Sequence, residues 1–343
     1  MRIILSRTDS IGDVVLTLPL ADALKKSIPG CTIIFLGREY TRPVVELCRN
    51  VDEFVSWDSP SPRGGGPPPW PSPLGGREML RGMRADVIIH VFPVKEICLA
   101  AKQAGIPKRI ATAGRFFTWF TCNRLLHIPR KNSKLHESQL NLKMLKGMGV
   151  TLEFSLAEIE GMYGLKGGQG DKGTRGRGDK GTRGRFRLIL HPKSKGSARE
   201  WGLENFSKLI NLLPAEKYNI MITGTREEGE MMTEFLENHR ERITDMTGKL
   251  SLGELISLIS SSDGLVAAST GPLHLAAAVG IRAIGLYAPM RPIFPQRWAP
   301  IGKNATYLVL ENNCSDCRKT MDCTCIRSIT PESILEKLTN PNH

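Results

Sequence analysis

Short apolar runs alternate with amphipathic stretches along most of the chain, a rhythm that predicts buried parallel strands joined by helices. In the first half the runs are Arg2–Ser6, Thr32–Leu36, Glu53–Val55, Asp86–His90 and Arg109–Ala111. Helices are predicted over 14–26, which contains Pro19, and over 42–48, 94–105 and 136–148. The second half restarts the pattern with strands at Phe186–Leu190, Tyr218–Ile222, Gly264–Ala268 and Arg282–Tyr287. Its helices are predicted at 203–213, 226–239, 252–259, 272–279 and 331–338. Alternation of this kind predicts an α/β protein with two doubly wound, Rossmann-like domains facing a cleft. The expected bounds are 1–160 for the first domain, 161–185 for a linker, 186–330 for the second domain and 331–343 for a C-terminal helix and tail.

Two insertions break the rhythm. Residues 59–76 are dense in Pro and Gly, including Gly64-Gly65-Gly66-Pro67-Pro68-Pro69, and are expected to form a mobile loop. The second insertion is a tandem copy: Gly-Asp-Lys-Gly-Thr-Arg-Gly-Arg occurs at 170–177 and again at 178–185. With no apolar side chain to bury, it reads as a flexible, low-complexity linker. Its glycines match the dinucleotide fingerprint as letters only. No strand closely precedes them and no apolar helix follows, which argues against a Rossmann oxidoreductase.

Charge narrows the choice of partners. The 343 residues carry a net +13; the tandem copy supplies six Lys/Arg against two Asp, leaving +9 elsewhere. A basic folded part suits anionic partners such as nucleotide phosphates, a phosphorylated substrate or an acidic membrane surface. No nucleic-acid-binding motif stands out, so none is expected as partner. Neither a membrane-spanning run nor a leader pattern is read, and the expected location is cytoplasmic, with peripheral contact at the inner face of the membrane. Of eight cysteines, Cys31, Cys48, Cys98 and Cys122 are scattered, whereas Cys314, Cys317, Cys323 and Cys325 cluster. The tight closing Cys-x-Cys fits no standard zinc module, so structural or redox thiols are expected ahead of a bound metal.

Chemistry concentrates in turns that follow strands, where open α/β sheets bind ligands. The first is Arg7-Thr8-Asp9-Ser10-Ile11-Gly12-Asp13. Helix capping by one of the acids is the plain reading. Two acids and an arginine in one tight turn exceed what capping needs. The second, His191 to Trp201, contains Ser194, Lys195 and Arg199 and suits an anion cradle. In the third, Thr223-Gly224-Thr225-Arg226-Glu227-Glu228, the acids serve either as helix-opening residues or as contacts to a nucleotide ribose. The fourth runs Ser269-Thr270-Gly271-Pro272-Leu273-His274, with Pro272 suited to a first helical turn. Amides at Thr270 and Gly271 would form a diphosphate site at a helix N-terminus. His274 is either a ligand or a half-buried helix residue.

These turns together resemble the ADP-heptose:lipopolysaccharide heptosyltransferases, glycosyltransferase family 9. Arg7, Asp9, Gly12 and Asp13 match an Arg-x-Asp-x-x-Gly-Asp pattern. His191, Pro192, Ser194, Arg199 and Trp201 match a His-Pro-Gly-Ser pattern with a base before Trp. Thr270 through His274 to Ala277 match the diphosphate turn, and Arg297-Trp298-x-Pro300 is also similar. The resemblance implies a GT-B architecture with the acceptor on the first domain and the nucleotide sugar on the second. It implies inverting transfer from an ADP-sugar, with ADP-heptose expected, to a phosphorylated lipid-linked saccharide. No cofactor or obligatory metal is expected. Asp13 is then the general base, Lys195, Arg199, Thr270 and Gly271 face the diphosphate, and Glu227 or Glu228 holds the ribose. Ser269 stands where the family has Asp, and Lys193 where it has Gly. The first bears on which sugar is used; the second adds positive charge beside the diphosphate. A nucleotide-sugar-binding protein of the same fold, with another sugar or no transfer, is the alternative.

Overall fold

Every strand expected from the sequence forms, and every pairing between strands among the described residues is parallel. The computed structural model describes residues 1–58, 73–130, 133–165, 184–291, 293–310 and 323–340. The chain divides into two units, Met1–Lys166 and Gly167–His343.

In the first unit the strands are β1 (Arg2–Ser6), β2 (Thr32–Gly37), β3 (Glu53–Ser56), β4 (Val87–His90), β5 (Lys108–Thr112) and β6 (Arg124–Leu126). They lie in the order β3-β2-β1-β4-β5-β6. The helices are α1 (Ile11–Val15), α2 (Leu18–Ser27), α3 (Arg42–Glu46), α4 (Pro73–Gly82), α5 (Lys95–Gln103), α6 (Thr118–Thr121), α7 (Glu137–Leu142) and α8 (Leu156–Glu160). Ile3, Ile4 and Leu5 of β1 are wholly buried, as a strand covered on both faces requires.

The second unit repeats the plan. Its strands are β7 (Phe186–His191), β8 (Tyr218–Ile222), β9 (Ile243–Asp245), β10 (Gly264–Ala268), β11 (Arg282–Tyr287) and β12 (Ala305–Val309). Their order is β12-β11-β10-β7-β8-β9. Helices α9 (Leu203–Leu212), α10 (Arg226–Met231), α11 (Thr233–Asn238), α12 (Leu252–Ser260) and α13 (Gly271–Val279) follow. Short α14 (Pro295–Trp298) and α15 (Thr324–Arg327) precede α16 (Pro331–Thr339). Each sheet has the doubly wound order 3-2-1-4-5-6, whose strand order reverses once, between β1 and β4 in one unit and between β7 and β10 in the other.

Several boundaries differ from expectation. The helix predicted over 14–26 is two helices, α1 and α2, with Pro19 in the first turn of α2. Proline has no N–H to give to an upstream carbonyl, so it opens a helix more readily than it continues one. The helix predicted over 226–239 breaks at Met232, whose side chain joins the core beside Phe235. The helix predicted over 136–148 is α7 followed by a 3-10 turn at Lys143–Met148, closed by left-handed Gly149. Residues 73–76 of the expected mobile loop form the first turn of α4; residues 59–72 lie outside the described residues. Met162 and Tyr163, placed in the expected linker, are buried, and Leu165 bridges to Cys48. The tandem copy up to residue 183 lies outside the described residues. Ile334 and Leu338 of the C-terminal helix α16 belong to the core of the second unit.

Candidate functional site

The turn after β1 is built around a buried guanidinium. Arg7 is 2% exposed. Its Nε donates to Asp9 Oδ1 at 2.7 Å, a second nitrogen is paired with Asp13, and Glu137 lies 3.7 Å away. Glu137, at the start of α7, also pairs with Arg130. Asn141 Oδ1 accepts from Arg130 at 3.1 Å and from Arg7 at 3.5 Å. Two cations thus meet three carboxylates, which is how a buried charge avoids its desolvation cost. The Arg7 guanidinium is held more firmly protonated than usual: burial opposes the charge, but Asp9, Asp13 and Glu137 outweigh it.

Asp9 and Asp13 do not cap α1. Ser10 occupies the N-cap position and makes no side-chain capping bond. Both acids are taken by Arg7 instead, a stronger claim than a free amide makes. Asp13 Oδ2 accepts from Ser10 Oγ at 2.6 Å, and the side chain keeps 18% of its surface exposed. The backbone carbonyl of Asp9 accepts from Tyr40 Oη at 2.6 Å, and burial raises the pKa of its side chain against the pull of Arg7. Gly12 is buried within α1.

In the second unit, the turn after β7 is organised by a residue that sequence reasoning passed over, Glu200. Its carboxylate accepts from Lys193 Nζ at 2.9 Å and from the Ser194 amide at 3.1 Å. Lys193, expected to add positive charge beside the diphosphate, therefore has a carboxylate partner within the turn. The Ser194 hydroxyl turns inward to the Ala198 carbonyl at 2.9 Å. Lys195 is exposed at left-handed φ 48°, with Nζ 3.9 Å from Glu227 Oε2. Arg199 reaches Met290 Sδ at 3.7 Å. His191 is buried, with Nδ1 3.0 Å from Thr223 Oγ1; burial lowers its pKa and favours the neutral ring.

The two glutamates after β8 separate. Thr225 and Glu228 form a capping box at α10, with the Thr225 amide 2.8 Å from Glu228 Oε2. Glu227 is exposed beside Lys195. After β10, Thr270 is the N-cap of α13 and is buried; its hydroxyl has no hydrogen-bond partner among the described residues. Gly271 opens the helix ahead of Pro272, and His274 is buried within it. Ser269 lines the same small recess as Arg199, Met290 and Tyr287, whose phenol donates to the Trp298 carbonyl. Of the clustered cysteines, Cys323 and Cys325 are buried in the second core; Cys314 and Cys317 lie outside the described residues.

The motif-bearing turns after β1, β7 and β10 therefore fall at the ends of strands where strand order reverses, whereas the turn after β8 lies one strand away. Comparisons with known proteins agree with this fold. Lipopolysaccharide heptosyltransferase 2 of Escherichia coli K12 is 23% identical over 355 residues, covering 98% of this chain and 97% of its own. The solved structure of E. coli ADP-heptose lps heptosyltransferase II superposes with TM-score 0.76 at 19% identity, covering 99% and 98% of the two chains. That of E. coli heptosyltransferase WaaC with ADP-2-deoxy-2-fluoro heptose gives TM-score 0.68 at 17% identity, with 99% coverage of each. The family profile described as glycosyltransferase family 9 (heptosyltransferase) matches residues 77–325. Two parallel sheets of the GT-B kind, the turns at their switch points and this match lead to one conclusion: the chain belongs to glycosyltransferase family 9.

Proposed function

We propose that the protein is an inverting glycosyltransferase that moves heptose from ADP-heptose to a phosphorylated, lipid-linked saccharide of the lipopolysaccharide-core type. The observation that carries this reading is Asp13, a partly exposed carboxylate held by a buried arginine at the switch point of the first sheet. One oxygen is fixed by Arg7 and the other by Ser10, so the carboxylate is oriented before substrate arrives. Asp13 takes the proton of an acceptor hydroxyl as that oxygen attacks the anomeric carbon. General-base assistance of this kind contributes about 10²–10⁴ in rate.

Donor recognition falls to the second unit. The first amides of α13, with Thr270 and Gly271 at its start, and the cations Lys195 and Arg199 offset the charge that grows on the departing diphosphate. Glu227 or Glu228 holds the ribose; the latter has one oxygen engaged in the helix cap. His274 supports the helix start from inside. Relatives named as heptosyltransferases, and the ADP-2-deoxy-2-fluoro heptose in the WaaC structure, support this choice of donor. No cofactor is assigned to the reaction.

A basic chain and a lipid-linked acceptor call for a place at an anionic membrane surface. No helix among the described residues is long and apolar enough to cross a membrane. Around α6, however, Phe116, Trp119 and Phe120 are 81%, 62% and 62% exposed, beside Arg115. Exposed aromatics flanked by bases suit peripheral contact at a membrane interface. Loss of vesicle binding on replacing all three aromatics with Ser checks this.

One observation favours a second reading, in which the same fold takes another sugar: Ser269, in the recess with Arg199 and Tyr287, carries no charge toward a sugar hydroxyl. A panel of ADP-sugars, tested by the rise in melting temperature and then by product analysis, decides between them. The primary reading expects ADP-heptose to give the largest rise and a product of inverted anomeric configuration. Retention of configuration, or no transfer from any ADP-sugar, contradicts it.

A further inference from the structure

Beyond the end of β4, three side chains from three separate elements converge. His90 closes β4, Cys98 lies in α5 and Cys122 follows α6. One ligand atom from each lies within 4.8 Å of the other two. His90 and Cys98 are 0% exposed and Cys122 is 8% exposed. Neither ring nitrogen of His90 has a hydrogen-bond partner among the described residues. A buried polar group left unsatisfied costs about 1–3 kcal/mol, and here two such atoms share one ring. Ala111, Phe117 and Leu125 pack against the cysteines and keep the surroundings apolar.

We propose that His90, Cys98 and Cys122 form a structural zinc site in the first unit. The donor set is two thiolates and one imidazole, which suits a thiophilic ion and not magnesium or calcium. Charge selects among thiophilic ions. Two thiolates balance the two positive charges of zinc, so the dry site is neutral; a monovalent copper ion would leave it with a net negative charge. Each thiol gives its proton to solvent as its sulfur–metal bond forms, two protons per ion, with no change of oxidation state. The fourth position falls to a water or to the Thr121 hydroxyl, which lies 3.7 Å from the Cys122 sulfur. The ion would tie β4 and α5 to the segment bearing the exposed aromatics of α6. This role is separate from sugar transfer.

The test is zinc stoichiometry on the full-length protein, stripped with chelator and reloaded. Cys122→Ser is expected to hold one equivalent fewer than the wild type and to release two protons fewer on loading. The difference is read, so any metal on Cys314, Cys317, Cys323 and Cys325 cancels. His90→Gln keeps both thiols and is expected to weaken zinc by at least about tenfold. Circular dichroism confirms that each variant folds, and the second variant decides the matter if the first does not. Equal zinc content and affinity in the wild type and both variants would overturn the proposal. So would a Cys98–Cys122 disulfide that mild oxidant forms as readily in the zinc-loaded protein as in the stripped one.

Discussion

Asp13 is paired with the buried guanidinium of Arg7, a residue only six positions earlier that is itself 2% exposed. The same guanidinium holds Asp9 and lies near Glu137, so it sits at the centre of the turn and not at its edge. Removing it leaves three carboxylates with one fewer cation. Breaking a buried pair in this way costs about 3–5 kcal/mol. Arg7→Met is expected to lower the melting temperature by roughly 6–20 °C. Adding Asp13→Asn to that variant should recover part of the loss, because the two side chains are coupled. Additive losses in the double variant would show that the pair is not coupled.

Glu200 does two jobs in the turn after β7, holding Lys193 and the Ser194 amide. Glu200→Ala removes both anchors. It is expected to weaken donor-nucleotide binding by about 1–2 kcal/mol, some 5–30-fold, measured by calorimetry. Glu200→Gln keeps an acceptor for the amide and should lose less. Equal affinity in both variants and the wild type would remove Glu200 from the donor site.

His191 gives the second unit a pH dependence with a defined sign. Burial holds its folded-state pKa below the ordinary 6.5. As the pH falls below about 6.5, the unfolded chain takes up the proton first. Stability attributable to His191 is therefore complete above that point and is lost progressively beneath it. His191→Gln should flatten the decline in melting temperature between about pH 7 and pH 5. An unchanged slope would place the titrating group elsewhere.

Much of this architecture could be read from the chain. Buried parallel strands such as Ile3-Ile4-Leu5 announce themselves as brief apolar runs, and the turns that follow them carried Asp13, Arg199 and Thr270 in plain view. Short elements were not legible. Strand β6 has three residues and α6 four, too few for any period to register. Partners brought in from a distance were also invisible: Glu137 and Asn141 reach Arg7 across 130 or more residues, and no local pattern encodes that. Cys98 and Cys122 read as scattered thiols because only the packing of α5 and α6 beyond β4 brings them to His90. Conversely, Lys193 looked like added charge because its neutralising partner, seven residues on, shows no pairing until the turn is folded.

The central claim is that Asp13 activates the acceptor. Single-turnover transfer from ADP-heptose by Asp13→Asn, with donor affinity measured in parallel, tests it most directly. The account predicts a fall in transfer of about 10²–10⁴ with donor affinity unchanged. Transfer at the wild-type rate by that variant would contradict it.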